Sequence, residues 1–268
     1  MLTREQHRAF EVEGLVHVPA AVAAADAIRM CDDIWTFLEA KQGIVRDSPS
    51  TWTQSRPTGF APLSRSKTFD RFWSPVVSKV LTDVFAQPEQ SRERARVLMT
   101  FPQSDGSWSV PSVGWHFDFA PLQENPGLRA AQVFGLLSPV RPKGGGTLVL
   151  TGSHRLVTRY VAETKQPPKP AHVRAWLSEA HPWLKELWGG GTTSSTVRTD
   201  RYLDRPVVLD DVEVRVVEVQ GDPGDVYVMN SDCFHATAPN SLAVPRVMLT
   251  SLVTADRQSR RGSETLQG

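Results

Sequence analysis

A chain of 268 residues with 40% hydrophobic and 22% charged side chains has the makeup of a globular protein able to bury a sizeable core, which excludes global disorder. Thirty basic residues against twenty-nine acidic ones leave a formal net charge of +1, too even a balance to raise the broad positive field that nucleic acids or anionic membranes attract. Two cysteines, Cys31 and Cys233, make no disulfide framework, and no charged-then-apolar leader opens the chain. No apolar run approaches the roughly 20 residues that span a bilayer. The expectation is a soluble, cytoplasmic protein of one domain, with no nucleic-acid or membrane partner.

In chain order, Thr3 caps a mixed charged and apolar run to Glu13 that predicts a helix, and Gly14 to Pro19 reads as a short strand. Ala21 to Lys41 predicts a second helix, with Ile28, Cys31, Ile34, Trp35 and Leu38 on one side. Gly43 to Ser66 holds Pro49, Pro57 and Pro62 and reads as loop, before a further helix near Ser74 to Phe85. From Ala95 the pattern changes to short β-prone pieces: Ala95–Phe101, Gly114–Phe119, Ala130–Ser138, Gly146–Thr151, Val207–Leu209, Val212–Val219, Asp225–Met229, His235–Ala238 and Arg246–Val253. Helices followed by many short strands, rather than alternating with them, predict a jelly roll, a cupin-like double-stranded β-helix with the N-terminal helices packed on its outer face. The helical part covers about 1–94 and the β core about 95–255. Within the β core, a lid-like insertion over about 156–205 carries Pro167-Pro168, one helix expected over His172 to Trp188, and a flexible Gly189-Gly190-Gly191. Insertions of this length often serve as lids or binding loops. The tail after Ala255 is expected to fray.

The chemistry concentrates in Trp115-His116-Phe117-Asp118, where an imidazole and a carboxylate two residues apart would share one face of a strand. His235 follows the strand-like Val226-Tyr227-Val228. Two histidines and one carboxylate are the set that non-haem Fe(II) oxygenases use, because three protein ligands leave positions open. Eleven residues beyond His235 lies Arg246, which a hairpin through Pro239-Asn240-Ser241 could bring back beside it. A guanidinium at the mouth of a barrel needs an anion, the sequence offers no obvious acidic partner, and a bound dicarboxylate is the simplest candidate.

On these segments, with Gly14-Leu15-Val16 and the stretch Gly144-Gly145-Gly146-Thr147-Leu148-Val149-Leu150-Thr151-Gly152-Ser153-His154, the sequence resembles the phytanoyl-CoA dioxygenase family of 2-oxoglutarate oxygenases. The resemblance implies Fe(II) held by His116, Asp118 and His235, with 2-oxoglutarate and O₂ as co-substrates. It also implies Arg246 on the distal carboxylate of 2-oxoglutarate, with Thr237 adding a hydroxyl. Phe117 stands where the family often has Gln, and Phe134 where it often has Trp. Gln132, expected on the same face as Phe134, is a further co-substrate contact, and Lys67 is a loose counterpart of a family lysine. In related halogenases a small residue replaces the metal-binding carboxylate, so Asp118 favours hydroxylation, desaturation or ring formation over halogenation. The substrate expected is a small metabolite of specialised metabolism.

Other readings compete at several positions. His154 reads as part of a structural turn, and His7, His17, His172 and His181 as solvated or hydrogen-bonded. Cys233 reads as a small buried thiol. Gly144 to Gly146 lacks the Lys-Ser/Thr of a phosphate loop and precedes a strand, so it reads as a turn. Trp176, Trp183 and Trp188 suit either helix core or a substrate pocket. For the whole chain, the alternative function is a non-catalytic, cupin-like protein that binds a metal or small ligand, and Arg246 argues against it.

Overall fold

The computed structural model describes residues 1–87, 90–103, 108–118, 128–189 and 194–255. Helix α1 (Arg4–Glu13) starts at a capping box: the Thr3 hydroxyl accepts from Gln6 N at 3.1 Å, and the Gln6 side chain accepts from Thr3 N at 3.0 Å. It stops at Gly14, whose φ of 72° feeds strand β1 (Leu15–Val18). Helix α2 (Ala24–Gln42) buries Ala27, Met30, Cys31, Ile34, Trp35 and Leu38, a helical stripe turned to the core. The stretch read as loop contains a short helix α3 (Ala61–Arg65), and α4 (Pro75–Phe85) begins as expected, with Ser74 capping Val77 N and proline at the first position.

The remaining strands are β2 (Ser91–Arg92), β3 (Arg96–Thr100), β4 (Ala130–Leu136), β5 (Thr147–Thr151), β6 (Val207–Leu209), β7 (Val212–Glu218), β8 (Val226–Asn230), β9 (His235–Thr237) and β10 (Arg246–Thr254). Among the described residues they form two antiparallel sheets, a larger one ordered β1-β8-β4-β10-β2, with β3 also on β10, and a smaller one ordered β6-β7-β5-β9. This is the jelly roll expected, mainly β with helices added.

Alternation along each strand divides the apolar side chains into layers. On the larger sheet, Ala131, Val133, Val228, Val247 and Leu249 pack against α1, α2 and α4, as the N-terminal helices were expected to. The opposite face sends Phe134, Leu136, Met229 and Met248 between the sheets to meet Val149 and Val219. The outer face of the smaller sheet, with Leu148, Leu150, Val214 and Val216, is covered by the insertion through Leu156, Val157, Leu177 and Leu184.

That insertion holds more helix than expected: α5 (Ser153–Thr164), α6 (Pro170–Ala180), α7 (Pro182–Gly189) and α8 (Ser195–Tyr202). The helix foreseen over His172 to Trp188 is two, because Pro182 lacks the N–H that would continue α6. Residues 114–118 form no strand, only a single bridge between His116 and His235. Phe119, Gly190, Gly191 and the tail after Ala255 lie outside the described residues. No described helix is long and apolar enough to cross a membrane.

Asp225 ties the β1–α2 turn to β8. Its carboxylate accepts from Ala20 N at 2.9 Å, Asp222 N at 3.1 Å and His17 Nε2 at 3.0 Å. Burial alone would raise its pKa, yet these bonds together hold it below the ordinary aspartate value. A depressed folded-state pKa contributes stability above the unfolded value that is lost as the pH falls through the folded one. Asp225→Ala is therefore expected to cost about 2 kcal/mol near neutral pH, and to flatten the acid limb of stability against pH in urea denaturation.

Candidate metal centre

His235 opens β9 opposite Val149 and exchanges two backbone hydrogen bonds with His116, His235 N to His116 O at 2.7 Å and His116 N to His235 O at 3.0 Å. Asp118 N donates to Ser231 O at 3.0 Å, so residues 116–118 lie alongside 231–235. Between the two outer side chains, Phe117 turns the other way and meets Phe234 edge-on at 5.0 Å, in the cluster under the insertion. The aromatic pair thereby leaves His116, Asp118 and His235 on the opposite face. One ligand atom from each lies within 4.8 Å of the others. His235 Nε2 and Asp118 Oδ2 are 3.8 Å apart.

Both imidazoles are oriented by carbonyls: His116 Nδ1 donates to Gly114 O at 2.8 Å and His235 Nδ1 to Cys233 O at 3.1 Å. A carbonyl only accepts, so each Nδ1 carries the proton and each Nε2 keeps a free lone pair. Burial lowers the His235 pKa to about 4; the Asp118 charge opposes this and His116 adds to it, so the ring is neutral at physiological pH. Asp118 Oδ2 is buried with no hydrogen-bond partner among the described residues. A divalent cation would satisfy that orphaned oxygen and both lone pairs together, so the donor set fits a metal.

The other expected site residues line the space between the sheets. Thr237 follows His235 on the same face of β9. Phe134 presents its ring to His235 at 6.4 Å, and Gln132, on the same face of β4, donates to the Thr250 hydroxyl while its Oε1 is buried without a partner. Arg246 is 2% exposed and donates from Nε to Gly145 O at 2.7 Å, from Nη1 to Leu98 O at 2.9 Å and from Nη2 to the Thr100 hydroxyl at 2.7 Å. A guanidinium has five N–H groups, so one on each terminal nitrogen is left for a ligand. Burial first, and then the positive charge of Arg56, lowers the Arg246 pKa to about 9, while Glu218 opposes them.

Two of these neighbours escaped the sequence reading. Glu218 is a nearby acid, though its oxygens are taken by Lys143 N at 2.8 Å, Gly146 N at 3.2 Å and Gln220 Nε2 at 3.3 Å. The cation felt by Arg246 is Arg56; nothing among the described residues links Lys67 to it. His154 faces away from the centre, with Nε2 on Glu11 O at 3.1 Å and Nδ1 3.6 Å from Cys233 Sγ, a thiol that burial pushes up to about 12. A Cβ at Gly14 would fall 2.4 Å from that sulfur, so the pair needs glycine there.

The profile of the phytanoyl-CoA dioxygenase (PhyH) family matches residues 10–248. The chain belongs to this family. PhyH enzymes depend on Fe(II) and 2-oxoglutarate and use O₂, which places the chain in the class of non-haem iron, 2-oxoglutarate-dependent oxygenase-like enzymes. Solved structures agree in fold. SnoN, a non-haem alpha-ketoglutarate dependent epimerase from nogalamycin biosynthesis, is 18% identical with a TM-score of 0.57, over 93% of this chain and 79% of that one. AviO1 from Streptomyces viridochromogenes is 15% identical with a TM-score of 0.56, over 96% and 97%. HygX from Streptomyces hygroscopicus, solved with nickel and 2-oxoglutarate bound, is 16% identical with a TM-score of 0.52, over 95% and 87%. No curated protein matches the chain.

In this PhyH chain the helical insertion reaches both segments that carry the centre. Trp188 packs on Phe234, next to His235, at 5.1 Å, while Trp176 meets Tyr160 at 5.6 Å and Trp183 meets Tyr202 at 4.9 Å. All three tryptophans are therefore helix packing. Arg198 of α8, 6% exposed, donates from Nε to Val110 O at 2.5 Å, from Nη2 to Pro111 O at 2.8 Å and to Leu187 O, and from Nη1 to Glu186 O at 3.1 Å. Trp115 Nε1 donates to the same Pro111 carbonyl at 2.8 Å, one residue before His116. Arg198 thus joins the end of α7 to the strand of chain that leads into the centre. Arg198→Met should cost about 3 kcal/mol in urea denaturation, because the carbonyls of Val110, Glu186 and Leu187 lose the arginine's donors and that of Pro111 is left with Trp115 alone. Arg198→Lys should recover less than half of that, since an ammonium cannot span both segments.

Proposed function

We propose that this protein is an Fe(II)- and 2-oxoglutarate-dependent dioxygenase that hydroxylates, or otherwise oxidises, an unactivated C–H bond of a small metabolite. The observation that carries the reading is the meeting of His116, Asp118 and His235, with their ligand atoms within 4.8 Å and the Asp118 oxygen unpartnered. Bound there, iron and 2-oxoglutarate would supply the activation of O₂ and the oxidising equivalents.

The protein's own residues hold and orient. His116, Asp118 and His235 occupy one side of the cation and leave the rest of its coordination sphere open. Arg246 would offer its two remaining N–H groups to the far carboxylate of 2-oxoglutarate, and its three bonds to the protein fix the guanidinium in place. Thr237, two residues beyond His235 on the same face of β9, would add a hydroxyl to the same carboxylate. Gln132 has a free Oε1 and Phe134 an apolar ring beside His235, so the two bound the co-substrate on the β4 side and exclude water there. A small-molecule substrate in specialised metabolism is supported by SnoN, which comes from nogalamycin biosynthesis. A purely binding, cupin-like role is less well supported, because it gives no use to the two spare donors of Arg246.

Asp118→Ala and His235→Ala should each abolish 2-oxoglutarate turnover, measured as Fe(II)-dependent succinate release over a panel of metabolites. Arg246→Ala removes a charge-assisted pair of bonds of about 3 kcal/mol, so the 2-oxoglutarate KM should rise roughly a hundredfold with little change in metal affinity. Equal losses in both would refute the role given to Arg246.

A further inference from the structure

A cavity of about 420 Å³ opens along the free edge of β3, between that strand and α3, and three arginines line it: Arg65, Arg94 and Arg96. Its other walls mix apolar Pro57, Phe60 and Val97 with the hydroxyls of Thr58 and Ser64, and no carboxylate lines it. None of the three guanidiniums forms an ion pair among the described residues, whereas seven other arginines do. The volume is that of a small-molecule site. Three guanidiniums that make no ion pair among the described residues, beside a partly apolar wall, suit an anion carried on an apolar body.

Strand register connects this cavity with the metal centre. Arg96 pairs with Thr250, and Thr250 pairs with Phe134, so the three form one row across β3, β10 and β4. Alternation fixes the face of that row: Thr100 reaches Arg246 and Leu98 packs between the sheets, while Val97 and Met99 join the core under the N-terminal helices. Arg96 therefore ends the row on the inter-sheet side. Two strand spacings of about 4.8 Å put its Cα about 10 Å from that of Phe134, whose ring meets His235.

We propose that the cavity binds an anionic group of the substrate, a carboxylate or a phosphate, on Arg65, Arg94 and Arg96, with the apolar body of the substrate running along the row towards His235. The substrate class is thus an amphiphilic anion. The inference rests on the reading of the metal centre as the place of reaction, but the anion site itself does not need the metal.

Titration calorimetry of metal-free protein with octyl phosphate, octanoate and octanol separates the possibilities. Octyl phosphate or octanoate should bind at least about tenfold more tightly than octanol, and the tighter of the two tells phosphate from carboxylate. Arg96→Gln, and independently Arg65→Gln on a different element, should each weaken the anion about tenfold while unfolding at the wild-type temperature. Octanol binding as well as the anions, or both variants binding as the wild type does, would overturn the site. In protein loaded with Fe(II) and 2-oxoglutarate, the same anion should shift the charge-transfer absorption of the wild type and not of Arg96→Gln. An unchanged spectrum in wild type that binds the anion would overturn its role as substrate site. Failure of that absorption to form at all would instead count against the metal centre, leaving the calorimetric result standing.

Discussion

Two backbone hydrogen bonds between His116 and His235 decide where everything else in the site falls. They are the bridge by which an otherwise irregular stretch joins the smaller sheet beyond β9. Once it is in register, period-two alternation sends Phe117 and Phe234 to one face and His116, Asp118 and His235 to the other. A slip of this stretch by one residue would turn His116 and Asp118 among the aromatics and present the ring of Phe117 to the ligand face in their place. The edge-on Phe117–Phe234 contact opposes that slip, so the packing under the helical insertion and the geometry of the metal ligands are one constraint seen from two sides.

The space between the sheets is polar at a few chosen points and apolar elsewhere. Arg246 and Glu218 are both buried, yet neither is satisfied by bonding to the other: backbone and hydroxyl acceptors hold the first, and backbone N–H groups and a glutamine hold the second. A buried charge left partly coordinated is costly unless something completes it. Asp118 Oδ2 and Gln132 Oε1 are in the same condition. Arg246, Asp118 and Gln132 thus each keep hydrogen-bonding capacity that the protein does not fill, which is the pattern of a site organised around ligands rather than a core that closed on itself.

Much of this was readable from the chain, and the exceptions share a cause. Strands such as Thr147–Thr151 and Arg246–Thr254 show themselves through β-branched residues and flanking turns, and the His-x-Asp pair shows itself by spacing. Arg198, Arg56 and Glu218 left no trace, because Arg198 and Glu218 act on backbone groups, and Arg56 through space; no motif records which carbonyl lies opposite a guanidinium. The stretch around His116 looked like a strand, since its residues alternate correctly, but its described pairing is confined to one bridge and the Asp118–Ser231 contact beside Gly114, whose φ of 81° turns the chain. The break between α6 and α7 has a sequence mark in Pro182, which the expectation of one helix over His172 to Trp188 leaves out.

The insertion shows why the protein devotes four helices to the outer face of its smaller sheet. That sheet has only β9 and a bridge at the edge where the ligands sit, and a three-residue strand cannot by itself hold two imidazoles to the tolerance a metal demands. Trp188 presses on Phe234 from outside, and Arg198 fixes the carbonyls of Val110 and Pro111 ahead of Trp115. Both act on the ligand segments from the side opposite the cation, where they supply rigidity without competing for its open positions. The face left uncovered by helices is then the inter-sheet one, so the support given to the ligand segments and the open side of the three ligand side chains lie on opposite faces of the same stretch of chain.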